Sequence, residues 1–330
     1  MDNTSTALNN RILEIRAGSH LFGTNTLESD TDYVGIFMPS EDMIFGMNRC
    51  DECKLDIPAK DEAGRNTREA IDRTLHEYKR FCRLALQNNP NIIHILFANK
   101  QNIILNTPYG QRLLDNAEMF IHQGCFKRFV AYARAQRHKM IIRRDHFNEL
   151  SLAYKILCED YNDKDLMVEV YNTNTKEYTP EGQANGEMLF YRKGTGVHIH
   201  VGDICFEPGI YVRKARKMLK ERLDKATNRT ELVLKHGYDT KFASNLIQLL
   251  REGIEILKTG RIQFPLAYAW EILDIKSGLM NANELISYSD YLEAECEKAL
   301  EQTSLPATPR TKEVENFVKE EVKRYIMEGA

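Results

Sequence analysis

The chain has 330 residues, with 42% hydrophobic residues, 28% charged residues and a formal net charge of −3. These values are typical of a soluble globular protein with one large or two ordinary domains, and the charge argues against whole-surface attraction to nucleic acid. The sequence contains no apolar run of about 18 residues and begins with polar residues, so we expect no membrane span, no signal peptide and a cytoplasmic location.

The first informative segment joins two predicted strands. Before Gly18, the apolar residues Ile12, Leu13 and Ile15 predict one strand. After Asp32, a second strand is predicted by Tyr33, Val34, Ile36 and Phe37. Between them, Gly18-Ser19 is followed ten residues later by Asp30-Thr31-Asp32. A glycine-serine turn can bring backbone N–H groups and a hydroxyl against phosphate oxygens. Two carboxylates at positions i and i+2 of a strand point to the same side, so both can hold one divalent metal ion.

Each half of this motif has a simpler interpretation. Asp-x-Asp occurs often by chance, and the sequence Ser29 to Asp32 also suits turns and helix caps. A turn that merely ends a strand needs the glycine but not the serine. The combination of both halves at this spacing, between two predicted strands, favours a site for nucleotidyl transfer, which needs a phosphate cradle beside metal-binding carboxylates.

The next segments alternate between loop and regular structure. A charged loop over residues 38–66 is long for a compact domain, which is typical of functional or mobile loops. Within it, Cys50 and Cys53 form a C-x-x-C motif that lacks the partner ligands of a zinc site and the context of a redox pair. The seven cysteines are scattered, so we expect reduced thiols. The apolar spacing then predicts a helix from Thr74 to Gln87, followed by a short buried segment, IIHILF.

The second half is predicted to be mainly helical. Residues 108–160 have a helical pattern. The segments LMVEVYN (166–172) and GVHIHVGDICF (196–206) suggest a strand-rich insert. Further helices are predicted over Lys214–Ala226, over 240–259 with a cap at Asp239 or Thr240, and over 312–327. The alternating charges of the last helix indicate a solvated face or an arm through which the chain could form an oligomer.

Two further clusters have competing interpretations. The stretch 127–144 carries seven Lys and Arg residues interleaved with Phe129 and Tyr132, which suits the backbone of an RNA or DNA acceptor but also a solvated helix face, with the two aromatic residues in the core. His198 and His200 alternate on a predicted strand. They lack an evident third metal ligand, so an ordinary surface strand is favoured.

The segment AGSHLFGTNTLESDTDYVGIF resembles the DNA polymerase β superfamily of nucleotidyltransferases, and within it a branch of predicted nucleotidyltransferases from bacteria and their phages. Residues 72–97 and 235–262 are similar to two further blocks of that branch, although His94 stands where the branch more often has an acidic residue. The resemblance implies an α/β (α+β) fold, with a polymerase-β-like core and mixed sheet over residues 1–110. A mainly helical accessory domain would follow over residues 111–330, with the strand-rich insert at about 166–213.

The resemblance also implies roles for individual residues. Asp30 and Asp32 would bind two Mg²⁺ ions, or Mn²⁺, and Asp72 would be the third carboxylate, unless it only caps a helix; Glu69 and Glu77 are substitutes for it. Gly18 and Ser19 would hold the β- and γ-phosphates of a nucleoside triphosphate. Thr24 and Ser29, small polar residues near the same turn, would contact phosphate or ribose, or would only cap local backbone. A cluster at the start of the C-terminal block would complete the nucleotide site, or would form a solvated basic surface. This cluster consists of Lys235, His236, Tyr238 and Lys241.

These expectations combine into an Mg²⁺-dependent nucleotidyltransferase. An acceptor hydroxyl, from an RNA or DNA end, a protein or a small molecule, would attack the α-phosphorus of a nucleoside triphosphate and release pyrophosphate, with no membrane partner. A carboxylate-metal phosphohydrolase or nuclease would also use clustered Asp residues but would have less need of a triphosphate cradle. A nucleotide-sensing module without turnover is a further alternative, because fold does not imply function.

Overall fold

A computed structural model describes residues 3–27, 29–59, 67, 69–180, 186–224, 232–233 and 235–328. The chain divides into two compact units. The first unit comprises Met1–Arg134 and Ser244–Ala330, and the second comprises Ala135–Ala243. The second unit is therefore inserted in sequence within the first, whereas the sequence placed a domain boundary at residue 110.

A five-stranded sheet forms the centre of the first unit. Its strands are β1 (Arg11–Arg16), β2 (Thr31–Phe37), β3 (Glu52–Lys54), β4 (Ile71–Glu77) and β5 (Ile103–Asn106), in the spatial order β3-β4-β2-β1-β5. Strands β2 and β4 are parallel, whereas the other pairs are antiparallel. The mixed sheet and the predicted first two strands are thus confirmed.

Helices make up most of the rest of the described chain. In chain order they are α1 (Asn3–Asn9), α2 (Gly18–Phe22), α3 (Glu41–Ile44), α4 (Tyr78–Leu86), α5 (Pro90–Ile93), α6 (Pro108–Asp115), α7 (Gly124–Asp160), α8 (Met167–Thr173), α9 (Val212–Asp224), α10 (Thr240–Thr259), α11 (Ala269–Ser277), α12 (Ala282–Gln302) and α13 (Thr311–Met327). The mainly helical C-terminal portion is therefore confirmed. None of the described helices is long and apolar enough to cross a membrane.

One arginine holds the register of three neighbouring strands. Arg73 of β4 lies opposite Tyr33 of β2, and its guanidinium lies over the Tyr33 ring at 5.0 Å from the centroid. The same side chain reaches Glu14 of β1, with 2.7 Å between Nε and Oε1. Glu14 is almost fully buried, so this pairing satisfies a carboxylate that would otherwise be costly inside the sheet.

The second unit has a core of its own. The later part of α7 packs with α8, α9 and a short hairpin of β8 (Ile199–Val201) and β9 (Ile204–Phe206), while β6 (Glu177–Tyr178) and β7 (Glu187–Met188) form another short pair. Fully buried apolar residues such as Leu157, Val170 and Phe206 make up this core. The predicted strands at 196–206 are thus present as a short hairpin.

Two predicted elements are wrong. The segment predicted as a helix from Thr74 begins as the strand β4, and the helix starts only at Tyr78. Asp72 therefore does not cap a helix; the carboxylate of Glu77 does so, accepting a hydrogen bond from the backbone N–H of Arg80 at 2.8 Å. The segment 166–172, predicted as a strand, forms the helix α8 because Met167 and Val170 are buried at helical spacing and Glu169 accepts a hydrogen bond from the N–H of Leu166 at its start.

Candidate active site

The turn after β1 brings Gly18 against a carboxylate of β2. Gly18 has a φ of +57°, and a Cβ at this position would lie 2.1 Å from Oδ2 of Asp32. The backbone N–H of Ala17 donates to the carbonyl of Asp32 at 2.8 Å, which fixes the turn to the strand. Only glycine fits this place without displacing Asp32, so the two ends of the sequence motif meet in one site.

The parallel pairing of β2 and β4 adds a third carboxylate. Asp32 is the register partner of Asp72, and neighbouring strands lie about 4.8 Å apart. Asp32 is half-buried, whereas Asp72 is exposed. Asp30 is half-buried just before β2 begins, at the same edge of the sheet.

Carboxylate oxygens are the ligands that Mg²⁺ prefers. Among the described residues, however, no group of three or more His, Cys, Asp or Glu side chains is gathered closely enough to hold a metal ion. The donor chemistry of Asp30, Asp32 and Asp72 fits a hard divalent cation, and their side chains would have to converge to coordinate it together.

The small polar residues of the motif make local contacts. The carbonyl of Ser19 accepts a hydrogen bond from the N–H of Thr24 at 2.9 Å, which closes the short helix α2. Ser29 Oγ accepts a hydrogen bond from the N–H of Thr26 at 2.9 Å, so this hydroxyl caps local backbone. Ser19 is half-buried, whereas Thr24 is almost fully buried.

A lysine that sequence reasoning missed reaches the same loop. Lys276, near the end of α11, donates from Nζ to Oγ1 of Thr24 at 3.0 Å. Leu266, just before α11, donates its N–H to the carbonyl of Phe22 at 3.1 Å, so the segment that carries Lys276 is joined to α2 by its backbone. No local sequence signal marks Lys276, because the contact links residues about 250 positions apart.

His94, which departs from the resembling branch, forms a buried pair. Its Nε2 lies 3.0 Å from Oε2 of Glu252, whose side chain is fully buried in α10 and also accepts a hydrogen bond from Gln248 Nε2 at 2.8 Å. The rings of Phe22 and Phe264 lie at 5.0 and 5.6 Å from the imidazole. The imidazole therefore packs behind α2 and belongs to the support of the turn.

The predicted nucleotide contacts near residue 240 lie in the second unit. Tyr238 has no exposed surface, which is the position of a core residue rather than of a ligand contact. Asp239 caps α10 by accepting from the N–H groups of Lys241 and Phe242. The side chains of Lys235 and Lys241 are exposed and that of His236 is half-buried. Burial, and secondarily the charge of Lys235, lower the pKa of His236.

The basic stretch 127–144 forms part of α7. Phe129 is fully buried, as its core interpretation predicted, and Arg134 forms an ion pair with Glu293. Lys127 and His138 are exposed, as expected for a solvated helix face. Its role in contacting nucleic acid stays a prediction.

The remaining cysteine and histidine motifs have ordinary partners. Cys53 is buried on β3, with Sγ at 3.8 Å from Oγ1 of Thr4, and Cys50 Sγ lies 3.7 Å from the carbonyl of Glu52. His200 stacks on Tyr191 with 5.8 Å between ring centroids. Both cysteines of the C-x-x-C motif are free thiols.

Comparison with known proteins agrees with the resemblance to the DNA polymerase β superfamily. Residues 4–156 match the model of the RlaP family, described as the RNA repair pathway DNA polymerase beta family. The chain is also 25% identical over 285 residues to an uncharacterized 38.9 kDa protein from the nrdC-mobD intergenic region of Enterobacteria phage T4, covering 79% of this chain and 81% of the relative. No solved structure matches the chain.

The matched segment contains the turn, Asp30, Asp32 and the neighbouring strand β4. The phage relative fits the bacterial and phage branch that the sequence resembles. Over residues 4–156, this chain is therefore similar to the RNA repair pathway DNA polymerase beta family, and this similarity supports its resemblance to polymerase-β-like nucleotidyltransferases.

Proposed function

We propose that this protein transfers a nucleoside monophosphate from a nucleoside triphosphate to an acceptor hydroxyl and releases pyrophosphate. The contact between Gly18 and Asp32 carries the proposal, because it joins the predicted phosphate turn to the predicted metal carboxylate. The register of Asp32 and Asp72 supports it, since it supplies a second carboxylate on the same edge.

Asp30, Asp32 and Asp72 are the residues that would hold Mg²⁺ or Mn²⁺. When bound, the metal would neutralise triphosphate charge and acidify the attacking hydroxyl. In the reaction, the acceptor oxygen forms a bond to the α-phosphorus while the bond to the bridging oxygen breaks and pyrophosphate leaves. Asp72 would take the proton of the acceptor hydroxyl, and its exposure to solvent supports this role.

The turn would orient the triphosphate. Gly18 allows close approach of the backbone, and the hydroxyl of Ser19 would donate to a phosphate oxygen. Lys276 adds a positive charge beside this loop, and its Nζ could exchange the Thr24 hydroxyl for a phosphate oxygen. We expect Thr24 and Ser29 to shape the loop rather than contact the reacting atoms, because Thr24 is almost fully buried and the Ser29 hydroxyl already accepts a hydrogen bond from the N–H of Thr26.

The test measures label transfer from each of the four α-labelled nucleoside triphosphates to RNA, DNA and protein acceptors, together with pyrophosphate release. Asp32→Asn is expected to slow transfer by about 100-fold or more, because the carboxylate contributes to neutralising charge in the transition state. Asp115→Asn, at an exposed position at the end of α6, is the matched control and should leave the rate unchanged.

The outcomes separate the alternative functions. Acceptor-dependent transfer that is lost in Asp32→Asn and kept in Asp115→Asn supports the proposal. Phosphate or nucleic-acid hydrolysis without an acceptor would indicate the phosphohydrolase or nuclease alternative, and nucleotide binding without any turnover would indicate a sensing module. Either of the last two results would overturn the proposed transfer.

A further inference from the structure

A second charged cleft lies in the first unit, at the opposite ends of β2 and β4 from the aspartates. The cleft has a volume of about 350 Å³ and is lined by residues that follow β2, by the loop before β3 and by the start of α4. Pro39, which lines the cleft, lies seven positions after Asp32, and this offset corresponds to about 23 Å of extended chain. The cleft is therefore distinct from the candidate active site.

Three cations converge on this cleft. Arg49 comes from the loop before β3, while Lys79 and Arg83 are one helical turn apart on α4. None of the three side chains forms a direct ion pair with a residue that the structure describes. Arg49 and Arg83 are exposed, and Lys79 is half-buried. A set of unpaired cations around one concave surface is suited to bind anionic groups.

The two acidic residues that line the cleft each have a partner in the described part of the chain. Asp51 is paired with Arg80, with 3.2 Å between Oδ2 and Nη1. Glu77 caps α4 through Oε2, while its Oε1 is buried without a hydrogen-bond partner among the described residues. A carboxylate that is only 7% exposed and lacks a partner on one oxygen can accept a hydrogen bond from a hydroxyl or amino group.

An exposed aromatic residue is a neighbour in the chain of two residues that line the cleft. Phe45 lies between Ile44 and Gly46, which both line the cleft, and 76% of it is exposed. Large apolar side chains at such exposure are available for contact with a partner. Cations that track a backbone, combined with an aromatic surface on which bases stack, are the features that bind single-stranded nucleic acid.

We propose that this cleft binds a single-stranded nucleic acid, with phosphates at Arg49, Lys79 and Arg83 and a base stacked on Phe45. The bound nucleic acid would be the acceptor itself or a single-stranded segment continuous with the acceptor, and this role rests on the proposed nucleotidyl transfer. Binding itself requires neither the triphosphate nor the metal, so it is measurable separately.

The first experiment measures fluorescence anisotropy of labelled single-stranded RNA and DNA of about 12 nucleotides, without nucleoside triphosphate or metal, over a series of KCl concentrations. The variant Arg49→Gln/Lys79→Gln/Arg83→Gln is expected to bind at least about tenfold more weakly at low salt. The slope of log K against log salt should become shallower by about 2, because three phosphate contacts are lost at about 0.7 each.

The matched control removes three exposed charges elsewhere, in Lys312→Gln/Lys319→Gln/Lys323→Gln on α13. It should retain the wild-type salt slope. If the cleft variant binds with wild-type affinity and slope, or if the control loses as much, the proposal is overturned. Circular dichroism of each variant establishes that the fold is retained.

A second pair of variants tests stacking. Phe45→Ala is expected to weaken binding about fivefold or more, whereas Met47→Ala, at a fully exposed apolar neighbour, should not. Equal effects of the two would contradict a stacking role. Asp32→Asn should bind the single-stranded nucleic acid with wild-type affinity although it loses transfer. This variant therefore distinguishes a failure of the cleft proposal from a failure of the proposed catalysis.

Discussion

Gly18 and Asp32 show how a glycine can determine the position of a reactive group. The carboxylate of Asp32 occupies the space that a Cβ of residue 18 would fill, and the φ of Gly18 is in the left-handed region. The same backbone would cost an L-residue about 1–2 kcal/mol even without the steric overlap. The glycine is therefore required both by the turn and by its carboxylate neighbour.

We expect Gly18→Ala to lower the free energy of unfolding by about 1–3 kcal/mol and to reduce nucleotidyl transfer by at least tenfold, because the new methyl displaces Asp32. Urea unfolding and the label-transfer assay measure the two effects. Gly209→Ala is the control, since a Cβ there meets no atom within 4 Å. If Gly18→Ala behaved like this control, the close packing of Asp32 would play no part in the site.

The sequence predicted those contacts of the candidate site whose residues are close together in the chain. Gly18 and Asp32 belong to one short motif with a fixed spacing, so strand alternation was sufficient to predict their meeting. The contact of Lys276 with Thr24, and the pairing of His94 with Glu252, join distant segments. Such contacts depend on how helices pack, which local periodicity does not encode.

The strand β4 shows why an element can be misassigned. It is an inner strand whose last three residues are all buried, so it has no alternation of apolar and polar residues. One of its charged residues, Arg73, is paired with Glu14 across the sheet. The apolar residues of α4 lie at helical spacing, and Leu75 of β4 happens to continue that spacing. The predicted helix therefore began four residues too early, inside the strand.

The last helix, α13, packs on the first unit of its own chain. Glu321 is 3% exposed, and Arg112 of α6 donates to it with 3.0 Å between Nε and Oε1. Tyr325 of α13 also meets Tyr109 of α6 edge to face, with 5.4 Å between ring centroids. The face that carries Glu321 and Tyr325 is thus covered within the chain, and a role of the helix in forming an oligomer stays a prediction.

Removing one partner of this ion pair should destabilise the first unit. We expect Arg112→Met to lower the free energy of unfolding by about 2–4 kcal/mol, because among the residues that the structure describes Glu321 then keeps only Arg324 as a cationic partner in its buried position. The double variant Arg112→Met/Glu321→Met should recover part of this loss. Denaturant unfolding of the double-mutant cycle measures the coupling, and strictly additive losses would contradict it.

At the scale of the whole molecule, all seven cysteines are free thiols in distinct environments. Cys158 and Cys205 are exposed, whereas burial raises the pKa of Cys125 and Cys296 to about 12. The thiolate is the reactive form, so burial and a raised pKa both slow reaction of the interior thiols.

We therefore expect two thiols to react rapidly with a disulfide reagent at pH 8 and the four buried ones to react only on unfolding, with Cys50 between them. Absorbance of the released thiolate counts the groups in each phase. Cys158→Ser/Cys205→Ser should abolish the rapid phase. A rapid phase of four or more thiols in the wild type would show that the interior opens readily.

The insertion of the second unit also has a consequence for the order of synthesis. The strands of the first unit leave the ribosome early, but the segment from Ser244 onward, which supplies Lys276, Glu252 and α13, emerges only after the whole second unit. At about 5–20 residues per second, the sheet waits on the order of 10 s for these helices. During that interval the inserted unit can complete its own core, so it is the part of the nascent protein that is ready to fold first.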